Sequence, residues 1–318
     1  MKKFNQPRIY LPFLKSGAPV FFYLFLSIAS TAQNIHDTTS YVQTVDIKTG
    51  KIDTVLSVNG RYEAPNWHPD NFLVVNFNGK IYRLDLGDKK LTEINSGSVN
   101  QIMDDHGLSP DGKWIAITSF DMGTSSQRHY KFSMYILPYT GGQPKKINSQ
   151  DLSFWHGWSP DGKTIAYCGG DYTNLDVYTV PVEGGETKRL TDAQGLDDGP
   201  DYSRDGKYIY FHSYRSGRMQ IWRMHTDGSQ QEQMTFDENA NWFPHPSPNN
   251  KWVAYIAYTT DEKQNHPFGK NVKLRLMDPK TKAVKDITPI FYGGAGTINT
   301  PSWSPDSRKL AFVSYSVN

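Results

Sequence analysis

The sequence predicts an all-β chain folded as a six-bladed β-propeller whose ring is closed by its own N-terminal hairpin. Three observations carry this prediction. A turn-and-strand unit recurs six times, a second hairpin follows each copy, and the hairpin missing from the last copy appears near the N-terminus.

The recurring unit begins as "NWHPDNFLVV" at Asn66, "GLSPDGKWIAI" at Gly107, "GWSPDGKTIAY" at Gly157, "DYSRDGKYIYF" at Asp201, "HPSPNNKWVAY" at His245 and "SWSPDSRKLAF" at Ser302. Each copy has turn chemistry. Ser and Asp hydrogen-bond their own backbone, Pro presets φ, and Gly or Asn takes the position where the chain swings round. The alternating run that follows, such as "KWIAI" or "KYIYF", is rich in β-branched and aromatic residues and reads as a strand. The second hairpins are "KIYRLDLGDKKLTEIN", "SMYILPYTGGQPKKIN", "DVYTVPVEGGETKRLT", "QIWRMHTDGSQQEQMT" and "KLRLMDPKTKAVKDIT". Two hairpins make one four-stranded blade. The sixth copy ends at Asn318 before its outer hairpin, and "SYVQTVDIKTGKIDTVLS" at 40–57 supplies it, its "VDIKTGKI" matching "MDPKTKAV". Closing the ring in this way removes open sheet edges.

These repeats, above all "WSPDGKTIAY", "YSRDGKYIYFHSYRSGRMQIWRMHTDGSQQEQMT" and "PSWSPDSRKLAFVS", resemble those of the TolB-type β-propeller. The resemblance implies a six-bladed ring over residues 40–318. TolB proteins carry an α/β domain ahead of the propeller. Here about seven residues lie between the expected cleavage point and the first expected strand. Similar propellers precede hydrolase domains in prolyl-oligopeptidase-type peptidases. No "GxSxG" nucleophile elbow occurs in this chain, so a serine hydrolase is not expected.

Residues 1–32 read as a secretory signal peptide. A basic, acid-free start leads into "VFFYLFLSI", then "ASTAQ", with cleavage expected after Ala32. No cysteine lies nearby to make it a lipoprotein signal. Residues 33–39 form a short connecting segment, and no later stretch is apolar enough to span a membrane. A periplasmic or secreted product is expected, without a transmembrane segment in the mature chain and as a monomer. The net charge of +2 gives no reason to expect nucleic acid as a partner. The one cysteine, Cys168, excludes an intrachain disulfide or a Cys-based zinc site. It sits in "TIAYCGG" and reads as a small buried hydrophobe.

Chemistry is expected where the inner strands start, at one mouth of the axial channel. The segments "YEAPNW", "MDDHGL", "SFWHGW", "LDDGPDY", "NWFPHP" and "NTPSW" bring Glu63, Asp104, Asp105, His106, His156, Asp197, Asp198, Asp201, His245 and Asn299 towards it. His106 and His156 hold the same place in consecutive copies, three residues before the turn serine, and are expected to be neighbours. Two readings stay open. These side chains bind a ligand or partner (an envelope or secreted protein, or a glycan), with a divalent metal on His106, His156 and His245 as one form of the site. Alternatively, they hydrogen-bond backbone at the strand starts. Function is read accordingly as a non-catalytic binding or interaction module. The alternative is a metal-dependent carbohydrate lyase or hydrolase with a His-rich channel site. Some propeller lyases acting on pectin fragments have such a centre, a likeness at the level of fold.

Two longer loops, "DEKQNHPFGKNVK" at 261–273 with His266 and "FDMGTSSQRHYKF" at 120–132 with Arg128 and His129, read as solvated insertions or binding loops. His36, His212 and His225 have no partner by spacing and read as structural or surface residues. Trp67, Trp158, Tyr202 and Trp303 are expected to fill the gaps between blades.

Overall fold

The computed structural model describes residues 38–121, 131–147, 152–171 and 174–317. The expected signal peptide, His36, Arg128 and His129 lie outside them.

The described chain is built of strands grouped into six sheets, arranged as a ring of six blades. Blade one runs outward through Glu63–Trp67, Phe72–Phe77, Lys80–Asp85 and Leu91–Ile94. The inner strands of blades two to five are Ile102–Leu108, Leu152–Trp158, Asp197–Tyr202 and Ala240–Pro246. Closure follows the sequence expectation. Thr38–Asp46 pairs antiparallel with the C-terminal strand Lys309–Val317, with Val42 opposite Val313 and Val45 opposite Leu310. Ile52–Asn59 forms the outer edge. The innermost segment of blade six is only partly regular. Trp303 bridges Leu310, and Val313 N–H donates to Thr297 C=O.

The repeated turn has one physical cause in five copies. In blade two, Ser109 Oγ donates to Asp111 Oδ1 at 2.7 Å and accepts from Trp114 N–H at 3.0 Å. Ser159, Ser203, Ser247 and Ser304 repeat both bonds. In blade one His68 replaces the serine. Its Nδ1 accepts from Asp70 N–H at 2.9 Å, and Nε2 reaches Gly112 C=O of the next blade at 2.9 Å.

Aromatic residues seal the blade interfaces. Trp158 Nε1 donates to Gly107 C=O at 3.1 Å and Trp303 Nε1 to His245 C=O at 2.8 Å, each across to the preceding blade. Tyr202 packs in a cluster with Ala166 and Val177 of blade three. Trp67 bonds Asn71 of its own turn and packs against the cluster shared by blades six and one. Trp155 is fully buried over Gly107, where an added Cβ would lie 2.0 Å from the indole. Cys168 is buried, as expected.

Candidate functional site

The inner strands are bulged near their axial ends. Register is lost between Glu63 and Asn66, Ile102 and His106, Trp155 and Gly157, Asp198 and Asp201, and Trp242 and His245. A bulge adds backbone without a partner and re-aims the side chains beside it. In blades one, four and five the bulge contains a residue with positive φ followed by proline: Ala64 at 52°, Gly199 at 62° and Phe243 at 52°. Left-handed backbone at Ala64 and Phe243 is strained and needs surrounding structure to hold it. At Gly199 a side chain is also excluded by contact, because a Cβ would lie 2.6 Å from the His212 ring.

The bulges gather a network of acids and bases around the axis. His156 Nε2 lies 2.8 Å from Asp198 Oδ1, and the other Asp198 oxygen lies 3.4 Å from His212 Nε2. The first of these has ion-pair distance without the alignment of a hydrogen bond, and His156 Nδ1 has no partner. Burial acts to lower the pKa of His156, but the Asp198 carboxylate prevails and leaves it raised. Burial acts to raise Asp198, and His156 reverses this too, holding it well below the usual carboxylate range. Each partner therefore favours the charged form of the other. His212 remains neutral, since burial pushes it down to about 4.

A second group faces it. Glu63 Oε1 lies 2.6 Å from an Arg61 guanidinium nitrogen, and its other oxygen accepts from Asn76 Nδ2 at 3.4 Å. Burial pushes Glu63 up to about 7 in spite of Arg61. Asn299 Nδ2 crosses from blade six to Asp104 Oδ2 at 2.8 Å, and its Oδ1 accepts from Gly296 N–H at 2.9 Å. Asp105 is held well above the usual range, first by burial, with Asp104, Asp198 and Glu63 acting in the same direction against His156.

Residues 259–269 wall one side of the site rather than forming a solvated insertion. Gln264 Oε1 anchors this loop by accepting from Leu196 N–H at 2.7 Å. It sets His266 edge-on against Trp242 and Phe243, each at 5.0 Å, and Phe268 beneath the Arg61 guanidinium at 4.3 Å. Burial holds the His266 pKa below its ordinary value.

Of the residues expected at the mouth, the structure brings together Glu63, Asp104, Asp105, His156, Asp198 and Asn299. It does not bring His106, Asp197, Asp201 or His245 to them. His106 is enclosed near the backbone of Met103 and Val74, where burial pushes it down to about 4; among the described residues no hydrogen bond, ion pair or ring contact joins it to His156. Asp197 turns the other way and pairs with Arg215 at 2.5 Å, whose guanidinium lies over Trp222. His245 ties three blades, with Nδ1 at 3.2 Å from Asp201 and Nε2 at 3.1 Å from Ile298 C=O. The three histidines considered for a metal are thus dispersed. Among the described residues, no group of three His, Cys, Asp or Glu is arranged to hold a metal ion.

Three site residues escaped sequence reasoning, Arg61, Asn76 and His212, whereas His266 is named in the loop that reads as a solvated insertion or binding loop. Arg61 precedes Glu63 by two residues, a period-two signal that was available in the sequence. Asn76 and His212 occupy equivalent places in blades one and four. Each pairs with the last residue in register before the bulge, Glu63 and Asp198 respectively.

Comparison with known proteins places this architecture. The sequence profile of the TolB beta propeller domain matches residues 131–289. The uncharacterized protein Atu1656 of Agrobacterium fabrum is 41% identical over 279 residues, covering 87% of this chain and 92% of that one. A solved structure of a TolB candidate from Agrobacterium tumefaciens is 40% identical, with a TM-score of 0.82 over 88% of this chain and 99% of its own. The Tol-Pal system protein TolB of Wolinella succinogenes is 26% identical over 178 residues, 56% of this chain and 40% of that protein. The chain belongs to the TolB β-propeller family.

Proposed function

We propose that this protein is an exported, non-catalytic binding module that takes a polar ligand at the mouth where its bulged inner strands begin. The ligand is an element of an envelope or secreted protein, or a glycan. One observation carries the reading. Arg61 Nε, Asn76 Oδ1, His156 Nδ1 and His266 Nδ1 are buried without hydrogen-bond partners at this end of the axis. Buried polar groups are nearly always paired, and an orphaned cluster marks a place where a partner supplies the missing bonds. A similar protein, TolB of Wolinella succinogenes, is a Tol-Pal system component, which supports an envelope partner.

Export rests on the N-terminal pattern of basic, apolar and small residues. No helix among the described residues is long and apolar enough to cross a membrane. Fractionation of the producing cells, with the N-terminus of the product determined by mass spectrometry, tests release after Ala32. Light scattering tests the monomer. The site itself is tested by pull-down from envelope extract and by glycan array, comparing the native chain with Arg61→Gln and His156→Gln, with melting curves taken in parallel. The partner profile is expected to collapse in both variants. An unchanged profile from folded variants overturns the reading.

A further inference from the structure

The axial site contains more carboxyl groups than cations. Arg61 is engaged by Glu63 and His156 by Asp198. Asp104 and Asp105 remain. Among the described residues neither forms an ion pair, and Asp104 is met only by the Asn299 amide. Adjacent residues of a regular strand point to opposite faces. These two lie in the stretch that the register skips, between Ile102 and His106. Asp104 reaches blade six through Asn299, while Asp105 lies in the field of Glu63, His156 and Asp198 from blades one, three and four. The bulge thus leaves both carboxyl groups among residues of the other blades at the axis.

A second observation is independent of the acids. Asn76 is 2% exposed, its Nδ2 is on Glu63, and its Oδ1 has no donor. His266 Nδ1, on the loop across the site, also lacks a partner. The site therefore offers an unfilled acceptor at Asn76 as well as carboxyl groups without a cation.

Resting on the polar-ligand reading above, we infer that the ligand enters with a primary ammonium group, held by Asp104 and Asp105. An anion is disfavoured because the charges of Arg61 and His156 already face Glu63 and Asp198, and Asp104 and Asp105 stand beside them without a cation. A divalent metal ion needs several ligands converging on one point, and no such group occurs among the described residues. An ammonium group asks less. It carries three N–H donors and can meet separate acceptors at ordinary hydrogen-bond distances. Docking also relieves Asp105. A cation beside it favours the carboxylate, so binding drives proton release against the burial that, with Asp104, Asp198 and Glu63, raises the Asp105 pKa in spite of His156.

Calorimetry on the full chain tests this. Ethanolamine and D-glucosamine are titrated beside their N-acetylated counterparts, and beside calcium and manganese chloride, near neutral pH in PIPES and in MOPS, which carry no primary amine. The Asp105→Asn variant is the control, because its neutral amide matches the protonated carboxyl in shape and should melt like the native protein. At least one amine is expected to bind, with acetylation and Asp105→Asn each weakening it tenfold or more. The apparent enthalpy should differ between the two buffers by the heat of proton uptake. Binding of ethanolamine and glucosamine alike assigns recognition to the ammonium alone, and binding of glucosamine only adds the sugar ring. Overturning results are equal binding of the acetylated forms, full affinity in Asp105→Asn, no binding of either amine, or stoichiometric metal that displaces the amine. A partner from envelope extract that requires His156 but ignores competing amine would leave the polar-ligand reading standing and refute this one.

Discussion

Replacing Asp198 by Asn tests the central pair of the site. The variant keeps the shape and removes the charge that faces His156 at 2.8 Å and His212 at 3.4 Å. Both partners of the main pair are shielded, with side-chain exposures of 3% for His156 and 11% for Asp198. Breaking a buried pair by removing one partner costs about 3–5 kcal/mol, because an uncompensated charge is left behind. The lower end applies here, since His156 can lose its proton, so about 3 kcal/mol is expected. With a urea m-value of about 3 kcal/mol/M, the unfolding midpoint falls by about 1 M. The pH dependence is specific. Asp198 is held below its unfolded value, so its contribution is present above about pH 3.9 and is lost as pH falls through the folded pKa. His156 is raised, so its contribution is complete below about pH 6.5 and is lost as pH rises through the folded pKa. The gap between native and variant midpoints should therefore be widest between about pH 4 and 6.5 and narrow on the alkaline side. A midpoint shift under about 0.3 M at pH 5.5, equivalent to about 1 kcal/mol, refutes the reasoning. So does a gap that keeps widening towards pH 9.

Three further outcomes are expected. Burial holds His106 at about 4 against an unfolded value of about 6.5, so the unfolded chain binds the extra proton between them and stability rises with pH across that interval. His106→Gln should flatten this acid limb by about 3 kcal/mol in urea midpoints taken from pH 4 to 7, and an unaltered limb contradicts the burial argument. Gly199→Ala places a methyl group 2.6 Å from the His212 ring at a φ of 62°. It should cost about 2 kcal/mol or more in thermal melts, and a neutral result would mean that this bulge is not constrained. Val42→Asp puts an unpaired charge into the fully buried closing strand opposite Val313. Proteolysis within residues 38–59 and aggregation by light scattering should follow, whereas native resistance would show that the ring holds without this clasp.

The fold was legible in the sequence because each copy of the turn solves the same local problem with the same atoms. A serine hydroxyl bonds an Asp or Asn two residues on and the backbone five residues on, and those residue types stand at fixed offsets in five copies. Closure was legible for a similar reason, since the outer hairpin absent at one end has its counterpart at the other. The site was legible only in part. Position in the repeat put Glu63, Asp105, His156 and Asp198 near the axis, yet it also put His106 beside His156. Equivalence between copies assumes equal backbone, and the bulges are unequal. Blade two loses register over Ile102 to His106, whereas blade three loses it only over Trp155 to Gly157. The two histidines at one repeat position therefore end in different environments, one enclosed and neutral, the other paired with Asp198.

That inequality separates scaffold from site. Where the copies agree, at the turn serine of five of them and the aromatic residue before the turn in four, they build a ring that places no particular chemistry anywhere. Where they disagree, the strand carries an extra residue, a positive φ or an x-Pro step, and a polar side chain is delivered to the axis. Asp197 and Asp198 show the effect within one dipeptide. Asp197 lies on the regular side and becomes half of a structural pair with Arg215. Asp198, at the edge of the bulge, meets His156 from the neighbouring blade. A strand without the bulge would keep its alternation and direct its side chains to the inter-blade cores. The strained backbone at Ala64 and Phe243 therefore carries a cost that packing between blades does not require. It is accounted for by the side chains these bulges bring to the axis, so ligand contacts in this protein should concentrate at bulged positions and avoid the turn motif.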